Sequence, residues 1–168
     1  MAANSGKLNG TNPPAQAGGL PRLAVHSQYL KDLSFENPNA PQILTGTQKP
    51  EIGVRVDVEV RPVAEAGYEI TLKLNVEAKQ GDKVSFIAEM AYAGLFAVEG
   101  ATLSEQQKPF LLVEGARLLF PFARAILANT TRDGGFPPLM LGPIDFADMF
   151  RKGQTQTSSE NRGETANA

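Results

Sequence analysis

The chain has 168 residues and is 42% hydrophobic, enough for one domain with a real core and hardly for two. A formal net charge of −2 argues against general affinity for nucleic acid or anionic lipid, and the lack of cysteine excludes a disulfide framework or a cysteine metal site. No charged segment leads into an apolar run near Met1, and no apolar stretch reaches membrane-spanning length. A soluble cytoplasmic protein is therefore expected, with neither signal peptide nor membrane insertion.

Residues 1–21 are rich in Gly, Asn, Ala and Pro without periodicity, and 153–168 are similarly polar. Both are expected to be disordered, which leaves 22–152 as the folded domain. A first strand is expected over Leu23–Phe35; its alternation is imperfect, as an edge strand's often is, and Asn37–Pro41 ends it. About fourteen residues then lead to Lys49-Pro50, too long for a hairpin. In the second strand every second residue is aliphatic (Ile52, Val54, Val56, Val58, Val60), while Glu51, Arg55, Asp57, Glu59 and Arg61 point the other way. Pro62 is expected to close it.

The third strand, Tyr68–Lys79, turns Tyr68, Ile70, Leu72, Leu74 and Val76 inward, and Gln80-Gly81-Asp82 make a hairpin turn. The fourth runs from Val84 to about Val98, with Phe86, Ala88, Met90, Tyr92 and Phe96 on one face and Ser85, Ile87, Glu89, Ala91 and Ala93 on the other. The stretch from Glu51 to Gly100 holds nine acidic residues against five basic ones, so the strand region is the acidic part.

Ser104–Gln107 has the spacing of a capping box, and Phe110–Leu127 is apolar on more than one side. Pro121 should kink this helix and Gly134-Gly135 stop it. A loop over Phe136–Pro143 leads to a short amphipathic helix near Asp145–Lys152. Strands followed by helices predict an α+β, two-layer domain. In it a four-stranded antiparallel sheet of order 1-4-3-2 is covered by a long kinked helix and a short C-terminal one. Covering one sheet takes an apolar stripe only roughly 100° wide. The surplus calls for a second copy of the chain or a ligand.

The inventory for catalysis is poor. His26 is the only histidine, no serine sits in a nucleophile elbow, and there is no phosphate-binding GxxxxGK[ST] loop. Asp145 and Asp148 are read more simply as favourable charges at a helix start than as an acid pair. No catalytic residue, cofactor or metal site is expected, and the chain is not read as an enzyme.

Surfaces remain. Asp32, Ser34 and Glu36 share one face of strand one, and Ile87 and Glu89 share one face of strand four. If those strands are neighbours, the five form an acidic patch around an isoleucine; an ordinary solvated sheet face fits the pattern too. A second surface collects Ile43, Leu44, Phe136, Leu139, Met140 and Leu141 with Phe146, Met149 and Phe150 of the last helix. These residues would equally serve to close the domain's open end.

The string Lys31-Asp32-Leu33-Ser34-Phe35-Glu36-Asn37-Pro38-Asn39-Ala40-Pro41 resembles the end of strand one in the SecB export chaperones. The resemblance continues through Pro50-Glu51, Phe86–Glu89, Ala93–Phe96, Leu119–Arg124 and Phe136–Phe146, covering roughly residues 23 to 152 in order. It implies a cytosolic, ATP-independent chaperone that holds unfolded precursor proteins in an export-competent state and delivers them to the SecA motor. It also implies a homotetramer, a dimer of dimers with sheets outside and long helices within. Docking of SecA's zinc-binding C-terminal tail is carried over to Asp32, Glu36, Ile87 and Glu89. The client groove is assigned to the second surface above, with Phe35 added. Contacts between copies are assigned to Ala88, Met90, Tyr92, Leu112, Leu119, Phe120, Phe122 and Ile126. One departure is the connection near Gln48, where family members often carry an aromatic and this chain has none.

Two other readings compete. One is a SecB-like chaperone devoted to a toxin–antitoxin module. The other, from a different class, is a small-ligand-binding α+β protein with a closed pocket between sheet and helix.

Overall fold

The computed structural model describes residues 22–64, 67–99 and 108–153. The chain runs through β1 (Arg22–Glu36), a 3-10 turn (Gln42–Thr45), β2 (Glu51–Ala64), β3 (Gly67–Gln80), β4 (Lys83–Glu99) and a long helix, α1 (Lys108–Asp133). A short helix, α2, follows over residues 146–153. The strands form one antiparallel sheet in the order β1-β4-β3-β2, so the α+β architecture and the strand order are those expected. The disorder expected over 1–21 and 154–168, and the capping box at Ser104–Gln107, lie outside the described residues, while Gly153, placed in the disordered tail, is the last residue of α2.

The core follows from two periodicities meeting. Ile70, Leu72, Leu74, Val76 and Ala78 of β3 and Phe86, Ala88, Met90 and Phe96 of β4 are buried on the sheet's inner face at every second position. Leu111, Ala116, Leu119, Ala123 and Leu127 of α1, spaced by about one helical turn, are buried against them. α1 continues through Pro121 to Asp133. It lies over the two central strands and leaves the outer ones partly bare. Ile52 and Val54 of β2, and Val25, Leu30 and Leu33 of β1, point to the inner side yet remain exposed.

Two strands differ from the expectation. β2 does not close at Pro62 but runs on to Ala64, with Pro62 paired to Tyr68. β2 is an edge strand, where the missing N–H of a proline is tolerated. β1 alternates imperfectly because it is bulged twice, between Val25 and Ser27 and between Leu30 and Asp32. Each bulge inserts one extra residue, so Leu30 lies opposite inward Tyr92 while Asp32 lies opposite outward Ala91.

Candidate functional site

The acidic patch is built by register. Asp32 pairs with Ala91, Ser34 with Glu89 and Glu36 with Ile87 across the β1–β4 ladder. Asp32, Glu36, Ile87 and Glu89 thus share the outer face, away from α1. The three carboxylates are exposed and Ile87 is half-buried. None of the three has an ion pair with a described residue. Alongside lies a shallow concavity of about 450 Å³, reaching through Asn75 and Glu77 of β3 to Gly53 and Arg55 of β2.

The other half of the outer face is internally neutralised. Glu69 is buried and accepts hydrogen bonds from Tyr29 Oη at 2.6 Å, from Lys31 Nζ at 3.0 Å and from the Arg61 guanidinium. The Tyr29 hydroxyl, then Lys31 and Arg61, hold its carboxyl down at about 2 against the opposing effect of burial. Lys73 pairs with Glu59 beside it. Unpaired negative charge therefore concentrates at the Ile87 end.

The second surface forms where α1 stops. Gly135 adopts a φ of 91°, its N–H donating to Arg132 O at 3.0 Å and that of Phe136 to Thr131 O at 3.1 Å. This left-handed cap turns the chain back toward the sheet. It drops the Phe136 ring onto Phe86, with centroids 4.9 Å apart, and Phe35 completes a three-ring cluster, 5.6 Å from Phe86 and 6.5 Å from Phe136. Buried Thr131 Oγ1 accepts the Leu139 N–H at 2.9 Å while bonding the Leu127 and Ala128 carbonyls. The returning loop is pinned to the helix it leaves.

Between this loop, the 3-10 turn and the start of β2 is an apolar cavity of about 420 Å³. Ile43, Leu44, Phe136 and Leu139 line it, joined by Ile52 and Phe86. Phe35 supports the wall through its ring contacts without lining the cavity. The remaining expected groove residues lie elsewhere. Phe146 is buried against Phe120, Met149, Phe150 and Leu141 are half-buried off the groove, and Met140 stands 67% exposed. Phe146 of α2 anchors that helix to α1 instead of opening to solvent. Ile52 was legible as inward-facing, but nothing in its strand's pattern says that α1 fails to reach it.

A third apolar surface runs beside α1. Leu118 is 40% and Phe122 52% exposed; Phe122 stacks on Tyr92 at 6.4 Å, and Tyr92 pairs with exposed Leu30 of β1, which shares the inner side with exposed Leu33. Of the residues expected between copies, Ala88, Met90, Tyr92, Leu119 and Phe120 are buried within the protomer, Leu112 and Ile126 are half-buried, and Phe122 is exposed. Small Ala88 and flexible Met90 are consumed by the protomer's own packing of β3, β4 and α1.

Among the described residues no cluster of His, Asp or Glu has the makings of a metal site, and no helix is long and apolar enough to cross a membrane.

The family model for preprotein translocase subunit SecB matches residues 16–157. A protein-export protein SecB from Maricaulis maris is 46% identical over 93% of this chain and 92% of its own. Those from Parvibaculum lavamentivorans and Agrobacterium fabrum are 49% and 50% identical, over 92% and 81% of this chain and 93% and 85% of theirs. A solved SecB-like chaperone of Mycobacterium tuberculosis, in complex with a ChAD peptide from an antitoxin, superposes with a TM-score of 0.64 at 16% identity. It covers 73% of this chain and 91% of its own, a likeness of fold. The sheet, the long helix and the returning loop all fall inside the matched span, and the chain belongs to the SecB family of non-enzymatic protein-export chaperones.

Proposed function

We propose that this chaperone holds unfolded precursor proteins without nucleotide in the cytoplasm and passes them to the SecA motor. The observation that carries the reading is the open apolar groove at the end of α1, with Leu44 and Ile52 bare at its mouth. An extended client segment laid there buries its own apolar side chains whatever their order, as a broad-range holder requires. Burial contributes about 25 cal/mol per Å², so 100 Å² adds about 2.5 kcal/mol before ordering costs. One groove is weak. Several grooves on one assembly, visited by one long chain, multiply retention through effective concentration.

The apolar strip of Leu30, Leu33, Leu118 and Phe122 supports assembly with further copies, a dimer of dimers in our reading. The outer face, with unpaired Asp32, Glu36 and Glu89 around Ile87, supports docking of a basic partner, SecA's zinc-binding tail. The relatives carrying the export name at 46–50% identity weigh for precursors over an antitoxin as client. The groove is apolar and open, which suits a polypeptide better than a small polar ligand.

The test is refolding of a chemically unfolded export precursor with and without the protein. Delayed folding that needs no nucleotide, with a precursor complex seen by light scattering, is the expected result. Unchanged refolding at a molar excess of the protein would overturn the proposal.

A further inference from the structure

Beside the apolar groove lies a second cavity of about 610 Å³ with a different chemistry. The two share Ile43, Gly46, Gln48 and Gln80, so they are continuous. The second is lined by the carboxamides of Gln42 in the 3-10 turn, Gln48 in the connection and Gln80 at the end of β3, together with Asp82 of the β3–β4 turn and Lys83 at the start of β4. Gln80 Oε1 lies so close over Gly46 that a Cβ there would sit 3.0 Å from it. Gln48 Oε1 reaches toward the β3–β4 turn, 4.0 Å from where a Cβ on Gly81 would be. Each amide therefore leans across to the opposite wall. Neither they nor the Gln42 side chain hydrogen-bond to any described residue. Asn39 differs, since its Nδ2 donates to Val84 O at 2.9 Å and serves the fold.

We propose that Gln42, Gln48 and Gln80 form a shelf that hydrogen-bonds the main chain of a client whose apolar side chain occupies the neighbouring groove. A carboxamide offers donor and acceptor without charge, as a peptide group does, and so pairs with peptide groups independently of client sequence. This gives the groove a second criterion. Apolar contact alone ranks segments by hydrophobicity. The shelf adds a requirement for free N–H and C=O groups, which extended chains present and helices or paired strands do not. Selection for unfolded backbone then comes from chemistry, beyond the steric exclusion of folded proteins.

The inference rests on the client-binding reading, and a double cycle separates the two. An extended apolar peptide is compared with the same peptide N-methylated at the bonds flanking its central apolar residue. Both are titrated against the full-length protein and against Gln48→Ala/Gln80→Ala. N-methylation is expected to weaken binding to the parent about tenfold, as the loss of one or two hydrogen bonds does. The penalty in the double variant should fall to about twofold, while the unmodified peptide still binds it. An equal penalty in parent and variant overturns the shelf and leaves the groove standing. If neither peptide binds the parent, the groove reading fails and the shelf with it. Gln48 is exposed and Gln80 half-buried, and an unchanged circular dichroism melt verifies the variant's fold.

Discussion

Glu36 lies directly opposite Ile87 across the β1–β4 ladder, so a carboxylate and an aliphatic side chain share one spot on the outer face. Glu89, next outward along β4, faces Ser34. An apolar centre with an unpaired acidic rim is suited to a basic partner that brings one apolar contact. Glu89→Lys is expected to weaken binding of the SecA tail about tenfold at about 50 mM salt and by less at about 300 mM, because the rim is exposed and screened. Client binding and melting temperature should not change. Isothermal titration at the two salt concentrations checks this, and equal affinity of variant and parent at the lower one counts against the patch.

Glu69 gives a pH signature. Its carboxyl sits at about 2 in the folded chain, below its ordinary value of 4.5. The folded state thus releases this proton more readily than the unfolded one. The resulting stability is fully present above the ordinary value and is lost as pH falls from there to about 2. Glu69→Gln should cost about 1–2 kcal/mol at neutral pH, since it removes the charge that Lys31 and Arg61 pair with and weakens the bond to Tyr29. The difference between parent and variant should shrink below about pH 4. Urea melts across the range measure it, and a gap that stays constant with pH would refute the assignment.

Strand identity was legible because period two survives in the sequence: Ile52 to Val60 and Tyr68 to Val76 each alternate without a break. The sheet order followed from loop lengths. The bulges at His26 and Lys31 were not legible, because an inserted residue leaves no local signature beyond a blurred alternation. Pro62 misled for a related reason. A proline ends a central strand, but the expected order 1-4-3-2 already put strand two at an edge, where a missing N–H costs no ladder bond. Of the residues read as one apolar surface, Ile43, Leu44, Phe136 and Leu139 line a common cavity, while Phe146 turns inward to meet Phe120. A pattern tells which face a residue is on. It does not tell how far the covering helix extends, and that extent decides the exposure of Ile52 and Val54.

Thr131 tests how firmly the groove's wall is held. Its hydroxyl serves two helix carbonyls and the Leu139 N–H from a fully buried position. Thr131→Val keeps the shape and removes the acceptor, leaving that N–H without its partner. A loss of about 1–2 kcal/mol is expected, with faster amide exchange at Leu139 as the specific sign. Ordinary protection of that amide in the variant would show that the loop holds by packing alone.

At the groove's mouth Leu44 and Ile52 carry exposed side chains, so charging them should spare the fold. Leu44→Asp and Ile52→Asp are each expected to move the melting free energy by less than about 0.5 kcal/mol. Each should weaken capture of an unfolded precursor about tenfold, because a bound client must then desolvate a carboxylate. Fluorescence competition with a labelled unfolded protein reads the effect. Undiminished capture would move the client site away from this end of the molecule.

Phe122 bears on the surplus apolar surface. It lies one helical turn from Leu118 on α1, and its ring touches the protomer through Tyr92. Together with Leu30 and Leu33 these side chains make a strip that no described element covers. In a two-fold contact the same residue meets the partner's equivalent surface, so one substitution acts twice. Burying a phenylalanine contributes about 1.5–3 kcal/mol, and putting a carboxylate in its place adds a desolvation cost. Phe122→Asp should therefore shift the assembly to smaller species at micromolar concentration, while its circular dichroism spectrum stays that of the parent. Multi-angle light scattering distinguishes the outcomes. A parent whose mass is that of one 18.0 kDa chain, or a variant that assembles as the parent does, would mean that this strip is covered by something other than a sister copy.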